Sequence, residues 1–185
     1  MNHLATSKED ILAASRDLIK ENGWAAVSIR AVASRCSVSA GTIYNYYESK
    51  ADLLSDTIES IWHEIFFHPE DEQVFHDVES CISWIYERLE YGNRQFPGFF
   101  SLHSFGFMRD EKTSGKKRMM KTWGHILNGL CEVLGNDLKV RSDVFDQEFT
   151  EKKFADILFS LILVSMIRQD YDSSSVLMLV KKTLY

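Results

Sequence analysis

The segment 28–50 reads SIRAVASRCSVSAGTIYNYYESK and constrains the fold more than any other part of the chain. Its first half, from Ser28 to about Arg35, opens on a residue that can cap a helix N-terminus, and its apolar residues recur at i, i+3 and i+4. A tight polar turn follows, and a second short helix is predicted from Ala40 to about Tyr47. Two short helices joined by such a turn are typical of a helix-turn-helix.

The second of these helices carries a polar outward face. Because successive helical residues are about 100° apart, Thr42, Asn45 and Tyr46 are predicted to cluster on one side. Ile43 and Tyr47, four residues apart, share the opposite, buried side. Hydroxyl and amide groups suit the edges of DNA bases and the phosphate oxygens. The second helix is therefore predicted to lie in the major groove as a recognition helix.

The run VSAGTIYNYYESKADLL, at 38–54, resembles the DNA-binding signature of the TetR family of bacterial transcriptional regulators, and the resemblance extends over about residues 9–54. Two positions depart from the family pattern, since Ser37 stands where the family usually has Gly and Glu48 where Pro is common. A residue other than Gly in a left-handed turn costs on the order of 1 kcal/mol. The matching positions are Ile11, Leu12, Ala14, Leu18, Gly23, Ser28, Ile29, Val32, Ala33, Val38, Ser39, Gly41, Thr42, Ile43, Tyr44, Tyr46, Tyr47, Ser49, Lys50 and Leu53.

The resemblance implies an all-α fold of about nine helices. It places a three-helix helix-turn-helix head at 1–50, and a linking helix joins this head to a helical effector-binding and dimerisation body at 51–185. Thr6-Ser7-Lys8-Glu9 has the form of a capping box that opens the first helix, and Gly92-Asn93 is predicted to end the fifth. Helical patterns are predicted over about 6–22, 28–35, 40–47, 49–68, 74–91, 116–134, 151–169 and 173–184.

The charge of the chain is unevenly distributed. The formal net charge is -6, which taken alone argues against a nucleic-acid partner. Residues 1–50, however, hold six basic and five acidic side chains, so this end carries +1 and the rest carries -7. A nearly neutral DNA-reading end on an acidic body agrees with modest non-specific affinity for DNA, because the body would be held away from the phosphates.

Cysteine use and hydropathy indicate the compartment. Cys36, Cys81 and Cys131 are odd in number, scattered and without a CxxC pair, which is typical of reduced thiols in the cytoplasm. Cys36 lies in the predicted turn, as either a small buried residue or a redox sensor. The chain opens without a signal-peptide pattern, and its most apolar run, 157–167, is too short to span a bilayer. We therefore expect a cytoplasmic protein without a membrane segment.

The residues predicted to bind DNA follow from helix face and side-chain chemistry. Thr42, Asn45 and Tyr46 are the candidate base readers, and an Asn side chain pairs naturally with adenine. Arg30 is predicted to reach a phosphate or a guanine, and Tyr44 and Lys50 to contact the DNA backbone. The complete predicted set is Ser28, Arg30, Ser39, Ala40, Gly41, Thr42, Tyr44, Asn45, Tyr46 and Lys50.

The segment from Glu151 to Gln169 is apolar nearly all round, and such a helix must be buried on every side. Either a partner subunit supplies one wall, or the segment is the core helix of a monomer. The family resemblance implies that the last two helices, at about 151–185, form a homodimer interface. A two-fold dimer would place its recognition helices about 34–36 Å apart and read a palindrome.

An aromatic-rich region in the second half is the candidate effector site for a small, largely apolar ligand. Taken residue by residue, the same side chains are more typical of packed core. The resemblance implies a pocket somewhere in this region, and the candidate residues are Trp84, Arg88, Phe99, Phe100, His103, Phe107 and Trp123.

The leading interpretation is a homodimeric repressor that a small ligand releases from a palindromic operator on double-stranded DNA. One alternative is a TetR-like adaptor that works through protein contacts instead of its own DNA reading. Another is an all-helical enzyme, but the sequence holds no catalytic constellation. The six histidines show no metal-site spacing, so no catalytic residue, metal or cofactor is predicted.

Overall fold

The computed structural model describes residues 6–66, 75–100 and 114–185. In the last of these ranges, side chains are described from residue 123 onward. The all-α prediction is confirmed: these ranges hold eight α-helices and one 3-10 helix, where about nine helices were expected. The elements are α1 (Lys8–Asn22), the 3-10 helix (Trp24–Ala26), α2 (Ile29–Arg35), α3 (Ala40–Tyr44), α4 (Lys50–Phe66), α5 (Val78–Gln95), α6 (Ser114–Asn136), α7 (Glu151–Arg168) and α8 (Ser174–Leu184).

The first helix is capped one residue later than the sequence predicted. Ser7, not Thr6, is the N-cap of α1, and its hydroxyl accepts a hydrogen bond from the Asp10 N–H at 3.1 Å. The Asp10 carboxylate in turn accepts the Ser7 N–H at 2.8 Å, which closes a capping box. The Ser7 hydroxyl also donates to this carboxylate, at 2.7 Å, and together with the Ser7 N–H it holds the pKa of Asp10 below its usual value. The side chain of Asp10, shorter than that of Glu9, therefore closes the capping box and fixes where α1 begins.

Helix α4 joins the head to the body, as expected of the linking helix. It packs against α1 on one side and against α5 and α6 on the other. Lys8 of α1 pairs with the largely buried carboxylate of Asp56, at 2.6 Å. Near the other end, the Glu64 carboxylate receives Arg16 at 3.1 Å and Lys20 at 2.7 Å. Polar contacts thus hold α1 along most of the length of α4.

Helix α5 does not end at Gly92-Asn93 as predicted, but continues to Gln95. Gly92 is buried, and a Cβ built on it would lie 2.6 Å from Cδ1 of Ile65 and 3.1 Å from Cζ of Phe100. The glycine therefore serves a close approach of α4 to α5 instead of a helix stop. Burial of neighbouring apolar groups outweighs the cost of about 1 kcal/mol of a glycine inside a helix.

The loop after α6 is fixed by a buried carboxylate. Asp137 is 6% exposed; its side chain accepts the Val78 N–H at the start of α5 at 3.0 Å and the Lys139 N–H at 2.9 Å. The phenol of Tyr185 donates to the same carboxylate. Burial, followed by this hydrogen bond, raises the pKa of Tyr185. The segment after α8 is thereby tied to the start of α5.

Candidate nucleic-acid interface

One serine caps the start of each helix in the helix-turn-helix. The Ser28 hydroxyl accepts the Ala31 N–H at 3.1 Å and caps α2. The Ser39 hydroxyl accepts the Thr42 N–H at 3.2 Å and caps α3. Both caps satisfy backbone donors that a helix start leaves free. The two capping interactions fix where the two helices begin, on either side of the turn.

The turn keeps a left-handed residue although no glycine is present. Ser37 has a φ of 57°, and its N–H donates to the Ser34 carbonyl at 3.1 Å. The following N–H, of Val38, reaches back to the Ala33 carbonyl at 2.9 Å. Ser37 therefore adopts the left-handed conformation at a position where the family pattern usually has Gly.

Replacing Ser37 by Gly is expected to raise the free energy of unfolding by roughly 0.5–1 kcal/mol. The strain removed, about 1–2 kcal/mol, exceeds the entropy that glycine adds to the unfolded chain, about 0.4–1 kcal/mol. Urea unfolding monitored by circular dichroism measures the difference. Ser34→Gly, on the exposed side of α2, is the matched control and is expected to lower stability. A less stable Ser37→Gly variant would contradict a strained turn.

The recognition helix α3 ends at Tyr44, earlier than the predicted Tyr47. The next two N–H groups form turn-like hydrogen bonds, from Asn45 to Thr42 at 3.2 Å and from Tyr46 to Ile43 at 3.0 Å. Asn45 is exposed, Thr42 is half-buried, and Tyr44 is 56% exposed. Of the three predicted base readers, Asn45 is thus exposed, whereas Thr42 and Tyr46 are each half-buried.

The predicted outward orientation of Tyr46 is wrong. The side chain is half-buried and packs against the core, and its hydroxyl donates to the Thr6 carbonyl at 2.7 Å. The 100° spacing that placed it beside Asn45 does not apply, because α3 has already ended. Tyr46 ties the residues before α1 to the end of α3.

Tyr46→Phe is expected to lower the free energy of unfolding by about 0.5–1.5 kcal/mol, the net worth of one hydrogen bond. Because the hydroxyl is turned inward, the base preference of the protein should stay the same. Urea titration and DNA selection measure the two quantities. Tyr44→Phe, at an exposed tyrosine, is the control and should leave stability within about 0.5 kcal/mol. A changed base preference in Tyr46→Phe would make the tyrosine a reader after all.

Ion pairing divides the basic side chains of the head into two groups. Four of the six are engaged with acidic residues of α1 or α4. Within the described part of the chain, no ion pair forms at Arg30 or Lys50, and both side chains are exposed. These two are the cations that the sequence predicted to contact DNA. The engaged four are Lys8, Arg16, Lys20 and Arg35.

The remaining predicted DNA-binding residues lie on the same elements. Ser28 and Ala40 are half-buried, at the start of α2 and α3. Ser39 and Gly41 are exposed beside them. Cys36, in the turn, is half-buried, and burial raises the pKa of its thiol above the ordinary value. A thiol held in its protonated form favours the interpretation of Cys36 as a small packing residue.

The body contains a cavity of about 380 Å³ between the end of α4, α5 and α6. Of the predicted effector residues, Trp84 is the one among the described residues that lines it. The sequence did not single out the lining residues of α6, because their signal is an apolar spacing that a packed helix shows as well. The lining residues are Phe66, Phe75, Cys81, Trp84, Ile85, His125, Ile126, Gly129, Leu130, Glu132, Val133 and Asn136.

The other predicted effector residues have different surroundings. Phe99 and Phe100 are buried in the core, each with its ring against Trp62. Arg88 donates to the carbonyls of the last turn of α4, at Ile65 and Glu64, which occupies its guanidinium.

Trp123 packs on Phe159 of α7 with ring centroids 5.9 Å apart, away from the cavity lining. His103 and Phe107 lie outside the described residues. The predicted effector residues that the structure describes therefore do not line one common cavity, because aromatic composition alone cannot separate core from pocket.

No group of three or more His, Cys, Asp or Glu side chains in the described ranges is arranged to hold a metal ion. None of the helices described is both long and apolar enough to cross a bilayer.

Comparison with known proteins agrees with this geometry. The family model for bacterial regulatory proteins of the tetR family matches residues 11–57. The HTH-type transcriptional regulator UidR of Escherichia coli (strain K12) is 38% identical over 48 residues, which is 26% of this chain and 24% of UidR. The chain thus matches about a quarter of the length of that curated relative.

Solved structures extend the likeness to the whole fold. A transcriptional regulator FadR from Bacillus subtilis, in complex with stearoyl-CoA, has a TM-score of 0.68 at 18% identity, covering 97% of this chain and 100% of that one. A TetR transcription regulator from Haloarcula marismortui ATCC 43049 has a TM-score of 0.72 at 17% identity, covering 96% and 98%.

The head and the helical body together define a helix-turn-helix protein with the fold of solved transcriptional regulators. Residues 11–57 match the model of the tetR family of bacterial regulatory proteins, and the fold of the described residues is similar to that of a solved TetR regulator. The family that this segment matches is one of regulatory proteins.

Proposed function

We propose that the chain is a homodimeric transcriptional repressor that binds a palindromic operator and is released from it by a small, largely apolar ligand. The observation that carries the proposal is the helix-turn-helix with Asn45 exposed and with Arg30 and Lys50 free of ion pairs in the described chain. Such a surface offers amide, hydroxyl and cationic groups together, as DNA bases and phosphates require.

The roles of the exposed groups follow from their position. Asn45 and Thr42 are the proposed base readers, and Asn suits a bidentate contact with adenine. Arg30, exposed in the first turn of α2, is proposed to reach guanine or phosphate. Tyr44 and Lys50 are proposed to hold the DNA backbone. With few free cations in each head, specific contacts must carry much of the affinity.

Helices α7 and α8 support the proposed dimer. On α7 the buried residues face the body, whereas Ile157, Val164 and Ile167 are 44%, 46% and 50% exposed. Their spacing of seven and three residues places them on one stripe. On α8, Met178 and Leu179 are 55% and 38% exposed. We define these five residues as the apolar stripe; a second copy of the chain would cover it.

A chain of aromatic contacts connects the cavity to the head. Phe66 lines the cavity and stacks on Trp62 at 5.6 Å, and the Trp62 ring lies 5.3 Å from that of Phe99. Phe99 in turn stacks on Trp24 of the head at 5.8 Å. A ligand that displaces Phe66 is proposed to shift α4 and with it the head. Release requires that the ligand prefer the conformer with mis-spaced recognition helices.

The FadR relative supports the ligand half of the proposal, because that protein was crystallised with stearoyl-CoA. The stearoyl chain of that ligand is apolar, which supports an effector with an apolar part for a chain of this fold. The cavity, lined mostly by apolar side chains, supports the same half of the proposal from this chain's own residues.

Fluorescence anisotropy tests the proposal, with DNA from the region upstream of the protein's own gene titrated over a range of salt. Saturable binding to one palindromic fragment, stronger than to a scrambled fragment, is expected. Equal and weak binding to both fragments that vanishes with salt would mean electrostatics alone and would favour the adaptor alternative.

A further inference from the structure

We infer that the cavity between α5 and α6 takes a compact aromatic cation, an inference that rests on the effector role proposed above. Three features carry it: an aromatic wall, a carboxylate in a lining that contains neither Lys nor Arg, and a glycine that leaves room inside. Each is a property of described residues that line the cavity.

The wall consists of three rings, with Trp84 in contact with both of the others. Phe66 and Trp84 meet edge to face with centroids 5.9 Å apart, and Phe75 lies 5.3 Å from Trp84. The face of an aromatic ring carries partial negative charge and attracts a cation placed over it, most strongly for Trp. The same rings favour stacking with an aromatic ligand. A ligand that is both aromatic and cationic uses both properties.

The lining holds one carboxylate, that of Glu132, and one imidazole, that of His125, both on α6 and both exposed. None of the described lining residues is Lys or Arg. Arg88 is the arginine of α5 closest in sequence to Trp84, but its guanidinium is bound to carbonyls of α4. Burial raises the pKa of the Cys81 thiol to about 12, so this group is neutral at pH 7. An anionic ligand would find no fixed positive charge here.

The volume restricts the ligand to a compact one. At about 380 Å³ the cavity lies near the lower end of the roughly 300–1,000 Å³ usual for ligand sites. Gly129 borders it, and a Cβ built there would meet no atom within 4 Å. A larger side chain at 129 would therefore enter free space in the cavity without displacing the fold.

Gly124, on the same helix, supplies a matched control. A Cβ at Gly124 also meets no atom within 4 Å, and this residue is not part of the lining. Gly129→Leu and Gly124→Leu change the helix propensity of α6 in the same way. A difference between the two variants reports the cavity and not the stability of the helix.

The experiment compares three probes of nearly one shape: benzyltrimethylammonium, its neutral carbon isostere neopentylbenzene, and the anion phenylmethanesulfonate. Binding to the full chain is followed by tryptophan fluorescence, since Trp84 lines the cavity. We expect the cation to bind roughly tenfold more tightly than the isostere, and the anion to bind more weakly than either. Gly129→Leu should lower the cation's affinity at least tenfold, whereas Gly124→Leu should leave it unchanged.

Glu132→Gln separates the contribution of the carboxylate charge to ligand binding from that of the aromatic rings. Because Glu132 is exposed, the variant is expected to fold like the wild-type protein. This variant should reduce the cation's advantage over the isostere while leaving the isostere's affinity unchanged. Equal affinity of cation and isostere in the wild-type protein would overturn the inferred ligand charge. Binding that survives Gly129→Leu would overturn the inferred place. Operator binding without ligand is measured separately, so a failed repressor proposal is told apart from a failed ligand class.

Discussion

Ile157→Asp combined with Val164→Asp is expected to leave the chain folded but monomeric, and to weaken operator binding more than 100-fold. Both residues are nearly half exposed on α7, so a carboxylate at either position meets water in the free chain. In a dimer the same carboxylates would be desolvated without partners, which opposes association strongly. A monomer holds one half-site only, and specific DNA affinity commonly exceeds non-specific affinity by roughly 10³–10⁷.

Sedimentation velocity and operator anisotropy measure the two effects of the α7 double variant. Leu138→Asp is the matched control, because Leu138 is 99% exposed in the loop after α6 and lies outside the apolar stripe. It should remain dimeric and bind the operator normally. A double variant that stays dimeric would place the interface elsewhere. Loss of dimer in the Leu138→Asp control would show that the effect is not specific to the stripe.

Phe99→Ala is expected to lower the free energy of unfolding by about 3–5 kcal/mol. The ring is 1% exposed and contacts rings from both sides of the head–body junction: it stacks on Trp24 of the head and meets Trp62 and Phe100 in the body. Its removal from this buried cluster leaves a void, so a cavity cost adds to the lost burial. A loss of this size is a large part of the stability of a small protein.

Urea unfolding at a fixed protein concentration measures the Phe99→Ala effect, since a dimer's stability depends on concentration. Phe145→Ala is the comparison. Phe145, in the loop before α7, is half-buried and packs on Phe149 and on Phe154 of α7. Its replacement should lower the free energy of unfolding clearly less. Equal losses in the two variants would contradict a central role for Phe99. Phe99→Leu, which keeps most of the apolar volume, should recover a substantial part of the lost stability.

The head could be predicted from the sequence in most respects because its signals are local. Ser28 and Ser39 indicate where their helices begin, because both are good capping residues, and apolar spacing identifies the buried faces. The predictions that were wrong depend on where a helix ends. Tyr46 was placed outward by continuing α3 past Tyr44, and Gly92 was interpreted as a stop although it permits close packing against Ile65. Both outcomes are decided by tertiary contacts that no local pattern contains.

The effector region was harder to predict for a different reason. Buried rings such as Phe99 and cavity-lining rings such as Trp84 have the same composition and the same helical period. Whether a ring meets another ring or an open space depends on how α4, α5 and α6 are spaced, and this is a property of the assembled body. The residue of α6 that leaves the space open, Gly129, carries no sequence signal for it.

The most direct test of the central claim, that a dimer reads two half-sites with two exposed recognition helices, is a change of half-site spacing. A palindrome selected from random DNA by the protein is compared with the same palindrome after insertion of five base pairs at its centre. Half a helical turn moves the second half-site to the opposite face of the duplex. We predict that anisotropy will show at least a 100-fold loss of affinity for the expanded site, down to that of scrambled DNA. Equal affinity for the two spacings would contradict the dimeric reading of DNA by this chain.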